Sequence, residues 1–364
     1  MKKLATALCL SVLGLAACGK KEPPPAPAAA PAPAAVAKAP PRPQTSFRVG
    51  WSHYTGWEPW GYMQHSGILA RHAQQHGIQI ELSPAADYLE SVRLYAAGKL
   101  DACAMTNVDA LTLAAIGGMD STVVVIGDLS EGNDGVVIRR GTAMQEIKGR
   151  TVHLAERSVS HYLLARALGL EGMSLADVTV ANASDAELAA QFGAGPETAA
   201  VSRNPLLMQL RKVRGAALVF DSSRVPGEIM DLMVARTAAP DTFKQALAGA
   251  WYETLALMRA HDPAAQEWMA QSAGATQDEF RRNLASLVMF QQPDKAAEFA
   301  ASPTVASTMQ QVRRFAFEQG LLGHGALSPD AVGIQFNDGT LQGARDNVKL
   351  RFTDRYMRAA IPKD

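Results

Sequence analysis

The sequence has little of several things on which many folds and functions depend. Its 364 residues include only three cysteines, which cannot build a disulfide scaffold. Its 35 basic side chains are matched by 35 acidic ones, so it has no basic excess to neutralise phosphates, and nucleic acid is not an expected partner. The length and the 48% apolar content predict a soluble, globular chain of two lobes or domains.

The sequence also lacks the common catalytic signatures. It has no Gly-x-Ser-x-Gly elbow, no His-Glu-x-x-His motif and no P-loop, and its eight histidines do not have the spacing of metal ligands. We therefore expect a protein that is not an enzyme, with no catalytic residues, no cofactor and no metal ion.

The N-terminus has the pattern of a lipoprotein signal. Two lysines precede the apolar run Leu4–Leu15, which is too short to span a bilayer, so residues 1–17 are predicted to be a signal peptide. Small residues then lead to Cys18, as in a bacterial lipobox, and we expect Cys18 to be acylated; a plain secretory signal is the alternative. The following Gly19 favours a periplasmic location at the inner leaflet of a Gram-negative outer membrane.

A tether follows the predicted anchor. Nine prolines and nine alanines occupy Lys20–Gln44, a composition that favours extended polyproline II, so residues 18–45 are predicted to be a spacer. With one cysteine in the signal and one acylated, Cys103 is expected to be a buried, unpaired thiol.

The rest of the chain alternates short apolar runs with amphipathic stretches. Phe47–Trp51 and Ile78–Leu82 read as strands with a helix over Tyr62–His76 between them, and the same alternation restarts at Thr151. After a strand at Ile229–Ala235 almost everything reads as helix. These patterns predict two α/β lobes, residues 46–135 plus 230–364 and residues 136–229, with a ligand cleft at the carboxyl ends of their strands.

Long segments of this region resemble a known family, the substrate-binding proteins of bacterial ABC importers in the nitrate/taurine group, and within it the urea-carboxylase-associated branch. The resemblance covers residues 46–357, and the segments that carry it are Gly50–Tyr62, Cys103–Leu111, Gly127–Gly135, Ser158–Ala167, Phe220–Val234 and Asn347–Phe352. It implies a type II periplasmic-binding fold with a hinge and a ligand cleft between two α/β lobes. It also implies delivery of a small ligand to a permease driven by an ATPase subunit.

The branch implies urea or the guanidinium ion as the ligand. Receptors for a small anion such as taurine, another sulfonate or nitrate remain an alternative, as do an enzyme on the same fold and a lipoprotein partner of another surface complex. In relatives an aromatic residue precedes an Asn-Pro pair, whereas here Arg203 precedes Asn204-Pro205, and a cleft-facing Arg203 would oppose a cationic ligand.

Aromatic residues are concentrated at the end of the first predicted strand, although they make up only 6% of the chain. Gly56 and Pro59 are expected to hold this stretch out of regular structure, so that rings project from a loop. Trp51 and Tyr62 are expected to pack in the core, whereas Tyr54, Trp57 and Trp60 are candidates to contact a flat or cationic ligand.

Polar candidates lie where helices are predicted to begin. Asp109 is the leading carboxylate, because its two oxygens match the donors of a guanidinium, while Asn107 and Ser160 would suit urea. Helix capping by Thr106, Asn107, Asp109, Ser158 or Ser160 is the alternative interpretation. His161 and Glu228 complete the candidate ligand contacts, whereas Asp134 and Asp231 are interpreted as turn or hinge residues.

Overall fold

We analysed a computed structural model of the chain, which describes residues 44–195 and 198–362. Gln44–Asp364 forms one compact unit. The predicted signal peptide, Cys18 and nearly all of the predicted tether lie outside the described residues. The predicted fold class is confirmed: the described chain is α/β, with helices packed on two separate sheets.

The strands, in chain order, are β1 Ser46–Ser52, β2 Gln79–Ala85, β3 Ala102–Thr106, β4 Ser121–Ser130, β5 Asp134–Arg139, β6 Thr151–Leu154, β7 Thr179–Asn182, β8 Thr198–Arg203, β9 Ala216–Asp221, β10 Met230–Arg236, β11 Leu287–Met289, β12 Gly333–Gln335, β13 Leu341–Gln342 and β14 Val348–Arg351.

The α-helices are α1 Glu58–His65, α2 Ile68–Gln75, α3 Tyr88–Ala96, α4 Asn107–Asp109, α5 Val159–Leu170, α6 Asp185–Ala194, α7 Leu206–Arg211, α8 Asp241–Arg259, α9 Pro263–Ser272, α10 Gln277–Leu284, α11 Pro293–Ala300, α12 Pro303–Glu318 and α13 Arg355–Ala359. A π-helical turn, Ala110–Ala115, continues α4.

Each sheet has an edge at which one antiparallel strand begins and its neighbouring strands end. In the first sheet, whose order is β13-β12-β14-β4-β10-β3-β1-β2, strand β10 runs antiparallel to β3 and β4. In the second sheet, whose order is β7-β6-β8-β5-β9, strand β5 runs antiparallel to β8. Residues that start β10 and β5 therefore lie at the edge where the neighbouring strands end, which is where ligands bind in α/β sheets.

The chain passes between the sheets twice, through residues 131–133 and through residues 222–229. Both passages join the edges just described, because β4 ends where β10 begins and β5 begins where β8 ends. The amide of Asn107 ties the second passage to the first sheet: its nitrogen donates to the Glu228 carbonyl at 3.0 Å and its oxygen accepts from the Met230 amide at 2.9 Å.

The core consists of buried strands rich in β-branched residues, which are covered by the apolar faces of helices. Val123–Ile126 in β4 is almost completely buried, as its composition predicts. Cys103 is also fully buried, which confirms the expectation for this thiol. Its sulfur lies 3.1 Å from the Ser91 hydroxyl oxygen, and burial raises the pKa of the thiol to about 12, so it remains protonated and unreactive at neutral pH.

Three local predictions are wrong. The single helix expected over Tyr62–His76 is two helices, α1 and α2, because Gly67 adopts a left-handed conformation with φ of 77°. The loop expected around Pro59 is instead the first turn of α1. A proline is tolerated there because backbone N–H groups in the first turn have no hydrogen-bond partner within the helix. The region after β10, expected to be almost entirely helical, also contains the short strands β11 to β14, and β11 pairs with β4.

The replacement Asn107→Ala tests how strongly the second passage is anchored. It removes two buried hydrogen bonds and leaves a carbonyl and an amide without partners, so we expect the free energy of unfolding to fall by about 2 to 4 kcal/mol. Chemical denaturation measures this change. The control is Asn347→Ala, which removes one half-buried bond to the Ala331 carbonyl and should cost about 1 kcal/mol. Equal losses in the two variants would contradict the anchoring role.

Candidate functional site

Buried polar side chains collect where the carboxyl edges of the two sheets meet. The first sheet contributes Tyr54 after β1, Asp128 near the end of β4 and Asp231 at the start of β10. The second sheet contributes Asp134 at the start of β5 and Arg203 at the end of β8, which lie opposite each other in register. All five side chains are at least nine-tenths buried, so this polar group is enclosed.

Two aspartates face each other across neighbouring strands. Asp128 and Asp231 are directly paired in the antiparallel ladder of β4 and β10, an arrangement that is unfavourable when both carry a charge. The Tyr54 hydroxyl donates to the Asp231 carboxylate at 2.6 Å and lies 3.3 Å from the Asp128 carboxylate. Tyr54 therefore bridges the pair, which we call the aspartate pair.

Burial raises the pKa of both members of this pair. Removal from water raises the pKa of Asp128 to about 7, although hydrogen bonds from Asp231 and Tyr54 lower it. Burial together with the neighbouring charges of Asp128 and Asp134 raises the pKa of Asp231 well above its usual range. Asp231 therefore holds a proton near neutral pH and donates it in a hydrogen bond to Asp128.

A third aspartate lies close to the pair. The Ser130 hydroxyl donates to Asp134 at 2.6 Å and lies 2.8 Å from the Ser222 hydroxyl, which accepts from the Gly132 amide at 2.8 Å. These contacts fix the carboxylate where the chain first passes between the sheets. Burial raises the pKa of Asp134 to about 6, with Ser130 and Arg203 acting in the opposite direction.

A fourth aspartate joins the two sheets. Asp109 accepts hydrogen bonds from the hydroxyls of Tyr88 and of Thr106, the latter at 2.9 Å, and from the backbone amide of Val159 at the start of α5, at 3.0 Å. The predicted helix cap is confirmed, because Thr106 accepts from the Asp109 amide at 3.2 Å. Burial raises the pKa of Asp109 to about 6. Both of its oxygens are occupied by protein donors.

Aromatic rings connect the aspartates. The ring of Tyr54 lies 4.7 Å from that of Trp57, which lies 5.5 Å from that of Tyr88. The Arg203 guanidinium lies 4.5 Å from the Tyr88 ring centre and pairs with Asp185 at 3.1 Å. The charge of Arg203 is thus already opposed by a carboxylate and a π-face. Rings, aspartates and Arg203 together line one enclosed polar region.

Other predicted site residues have different surroundings. Trp60 stacks on Trp251 with 4.4 Å between ring centres, and the Asn107 amide is occupied by the two backbone contacts described above. Glu228 forms a two-pronged ion pair with Arg166, at 2.7 and 2.8 Å, and accepts further hydrogen bonds from the side chains of Tyr162 and Gln311. These contacts hold Glu228 between α5 and α12.

Ser160 and His161 lie in the first turn of α5. Ser158 caps this helix by accepting from the Ser160 amide at 3.1 Å, which confirms the capping interpretation for Ser158. His161 accepts from the Arg157 amide at 3.2 Å, and burial lowers its pKa to about 4. His161 is therefore neutral at physiological pH.

Sequence reasoning did not select Asp128 or Tyr88, and it assigned Asp134 and Asp231 to turns or hinges. A signal was present for two of them. Asp128 follows the buried run Val123–Ile126 with only Gly127 between, and Asp231 lies inside the apolar run Ile229–Ala235. A carboxylate within a buried strand is rare without a partner or a function.

The chain is similar to several known proteins. A family model described as NMT1/THI5 like matches residues 72–248, just under half of the chain. No curated protein sequence matches the chain significantly. Among solved structures, the alkanesulfonate-binding protein of Xanthomonas axonopodis pv. citri, bound to MOPS, is 18% identical with a TM-score of 0.66, over 80% of this chain and 98% of that one.

Two further structures are similar. The nitrate-binding protein of Synechocystis PCC 6803 is 12% identical with a TM-score of 0.55, over 87% of this chain and 97% of that one. A Candida albicans protein described as having the generic periplasmic binding protein fold is 11% identical with a TM-score of 0.60, over 75% of this chain and 90% of that one. At identities this low, the similarity establishes the fold alone. That fold agrees with the two sheets and their facing edges.

The described residues were also searched for metal-ligand groups and membrane-spanning helices. No group of three or more histidine, cysteine, aspartate or glutamate side chains within residues 44–195 and 198–362 is arranged to hold a metal ion. Over the same residues, no helix has both the length and the apolar character needed to cross a bilayer.

The raised pKa values predict how the stability of the ligand-free protein depends on pH. A carboxyl whose pKa is higher in the folded state than the unfolded value of about 4 stabilises the fold while protonated, and this contribution is lost as the pH rises through the folded pKa. From pH 5 to pH 8, we expect Asp128 alone to lower the free energy of unfolding by on the order of 2 kcal/mol. Denaturation of wild type and Asp128→Asn across this range measures the effect. The variant should have a flatter profile, and parallel profiles would contradict the assignment.

Proposed function

We propose that the protein is the substrate-binding lipoprotein of an ABC importer, which captures a small urea-like or guanidinium compound and delivers it to a membrane permease. The observation that carries this proposal is the enclosed polar region between the facing edges of the two sheets. Its buried carboxylates, hydroxyls and rings suit a small ligand with several N–H donors. No catalytic motif accompanies them in the sequence.

Closure around the ligand is part of the proposal. Contacts between the two predicted lobes, residues 46–135 plus 230–364 and residues 136–229, include the Asp109 bond to the Val159 amide and a 2.8 Å ion pair between Lys212 and Glu279. We propose that these contacts form when the lobes close by moving about the two passages between the sheets. In this proposal, Asp109 stabilises the closed form. Tyr54 and Trp57 are the proposed aromatic contacts, whereas Trp60 stacks on Trp251.

A receptor for a small anion is the second candidate, because two of the similar structures are described as sulfonate- and nitrate-binding proteins. The N-terminus of α5 would attract an anion through its free amides. Here, however, the Val159 amide is bonded to Asp109 and the Ser160 amide to Ser158. These occupied donors and the surrounding carboxylates favour a neutral or cationic ligand over an anion.

A ligand panel tests the proposed function. Thermal denaturation of the purified protein is followed with guanidinium, methylguanidinium, urea, taurine and nitrate, each at low millimolar concentration. A true ligand at 100 times its dissociation constant adds about 2.7 kcal/mol of stability. We expect this increase with urea or a guanidinium compound, and cells lacking the protein should lose uptake of the same compound. A response limited to taurine or nitrate would favour the second candidate, and no response at all would contradict both.

The proposed anchor has its own test. If Cys18 is acylated, Cys18→Ser should move the protein from the membrane fraction to the soluble periplasmic fraction and abolish incorporation of labelled palmitate. The control is Cys103→Ser, which alters the buried thiol and should leave the fractionation unchanged. Membrane association of Cys18→Ser equal to that of wild type would contradict the anchor.

A further inference from the structure

We propose that a basic groove between the two predicted lobes is a docking surface for an acidic segment of a partner protein. Arg157, which directly precedes the cap of α5, lines the groove from the second predicted lobe, and its other walls come from the first. In the importer proposed above, the permease would supply the acidic segment. The choice of the permease rests on the proposed function, whereas the chemistry of the groove is independent of it.

The groove is concave and open to solvent, with a cavity volume of about 410 Å³. Three of its lining residues carry basic side chains, namely Arg157, His324 and Lys349. Arg157 and His324 are exposed, and Lys349 is half-buried, so all three can be reached by a partner. A concave surface of this kind receives a protruding chain segment more readily than it contacts a flat bilayer, and clusters of basic side chains recognise acidic segments.

The protein itself does not balance the charge of this groove. No aspartate or glutamate is among its lining residues. Within residues 44–195 and 198–362, Arg157, His324 and Lys349 form no ion pair, whereas an exposed arginine such as Arg224 is paired with Glu171. In a chain with equal numbers of acidic and basic side chains, the groove therefore has an excess of positive charge that an acidic partner would complement.

Three acidic residues adjoin the groove along the chain without lining it. Glu156, Asp330 and Asp346 are each next to a lining residue in sequence. Asp330 is already paired with Arg313. Glu156 and Asp346 are exposed, and an exposed carboxylate gains little from an ion pair, so both compete weakly for the cations of the groove.

Contacts with the first predicted lobe hold Arg157 at the groove. Its Nε donates to the Leu321 carbonyl at 3.2 Å, and its backbone carbonyl accepts from the Thr112 hydroxyl at 3.0 Å. Its backbone is left-handed, with φ of 63°, which is uncommon for a residue other than glycine. A β-carbon added to Gly323 would lie 2.8 Å from a terminal nitrogen of Arg157, so the glycine makes room for the guanidinium. The guanidinium is thus fixed before a partner binds, which reduces the entropy lost on binding.

The groove combines side chains of both predicted lobes, so its shape depends on how the lobes are placed. When the lobes move apart, Arg157 moves away from His324 and Lys349, and the basic groove is divided. A partner that binds the complete groove therefore selects the closed receptor. This selection would let the permease distinguish a loaded receptor from an empty one.

Fluorescence anisotropy tests the inference with two labelled peptides, hexaglutamate and hexaglutamine, and with the mature chain carrying Cys18→Ser. We expect hexaglutamate to bind at least about tenfold more tightly than hexaglutamine at low salt, and this preference to shrink as the salt concentration rises. Lys349→Gln and Arg157→Gln should each weaken hexaglutamate binding about fivefold. If Arg157→Gln fails to fold, as judged by circular dichroism, Lys349→Glu replaces it, with an expected loss of at least about tenfold.

Matched controls separate the groove from the general charge of the surface. Arg93→Gln and Lys99→Gln each remove an exposed cation of the first predicted lobe that does not line the groove. Both should bind hexaglutamate within about twofold of the unsubstituted residues. Losses in the controls equal to those in the groove variants would overturn the assignment.

The remaining outcomes distinguish the docking surface from the proposed function. Equal binding of the two peptides would overturn the docking surface. Binding to phosphatidylglycerol vesicles that is lost in the groove variants, without a preference for hexaglutamate, would assign the groove to a membrane and overturn the inference as well. Both results leave the receptor proposal standing, because the ligand panel tests that proposal separately.

Discussion

The site depends on one interaction, the close approach of two buried carboxyls on neighbouring strands. Asp128 and Asp231 are opposed in register, and the Tyr54 hydroxyl contacts both carboxyls. Such a pair is tolerated only when a proton or a ligand separates the charges. The proton that Asp231 retains near neutral pH removes the repulsion that two charged carboxylates would have. The raised pKa of Asp128 is a consequence of this constraint.

The fold explains how the pair comes to lie between the sheets. Strand β10 re-enters the first sheet antiparallel to its neighbours, so its first residues lie beside the last residues of β3 and β4. Asn107 anchors this re-entry, and Asp134 begins the strand that leaves for the second sheet. The same two passages thus carry the chain between the sheets and place carboxylates at the proposed ligand region. Movement of one sheet relative to the other would open or close the aspartate cluster.

The sequence allowed the fold to be predicted because its strands are short, apolar runs separated by helical periodicity and turn residues. The resemblance to importer receptors implied a cleft between two lobes, and Tyr54 and Trp57 were selected as candidates because aromatic residues are scarce elsewhere in the sequence. Asp128 was missed because its signal, a carboxylate directly after a buried apolar run, lies in the local composition and not in the periodicity used to place the strands. Glu228 was predicted as a ligand contact, whereas its ion pair with Arg166 depends on the tertiary approach of α5 and α12, which no local pattern encodes. Helix boundaries near Gly67 and Pro59 were missed because backbone geometry at single residues decided them.

Proton release during ligand binding tests the central claim most directly. If a cation replaces the proton shared by Asp128 and Asp231, calorimetric titrations of guanidinium at pH 8, in buffers with different ionisation enthalpies, should show that about one proton is released per ligand bound. This release should disappear in Asp231→Asn. Binding without proton release, or with proton uptake as expected for an anion among carboxylates, would contradict the account.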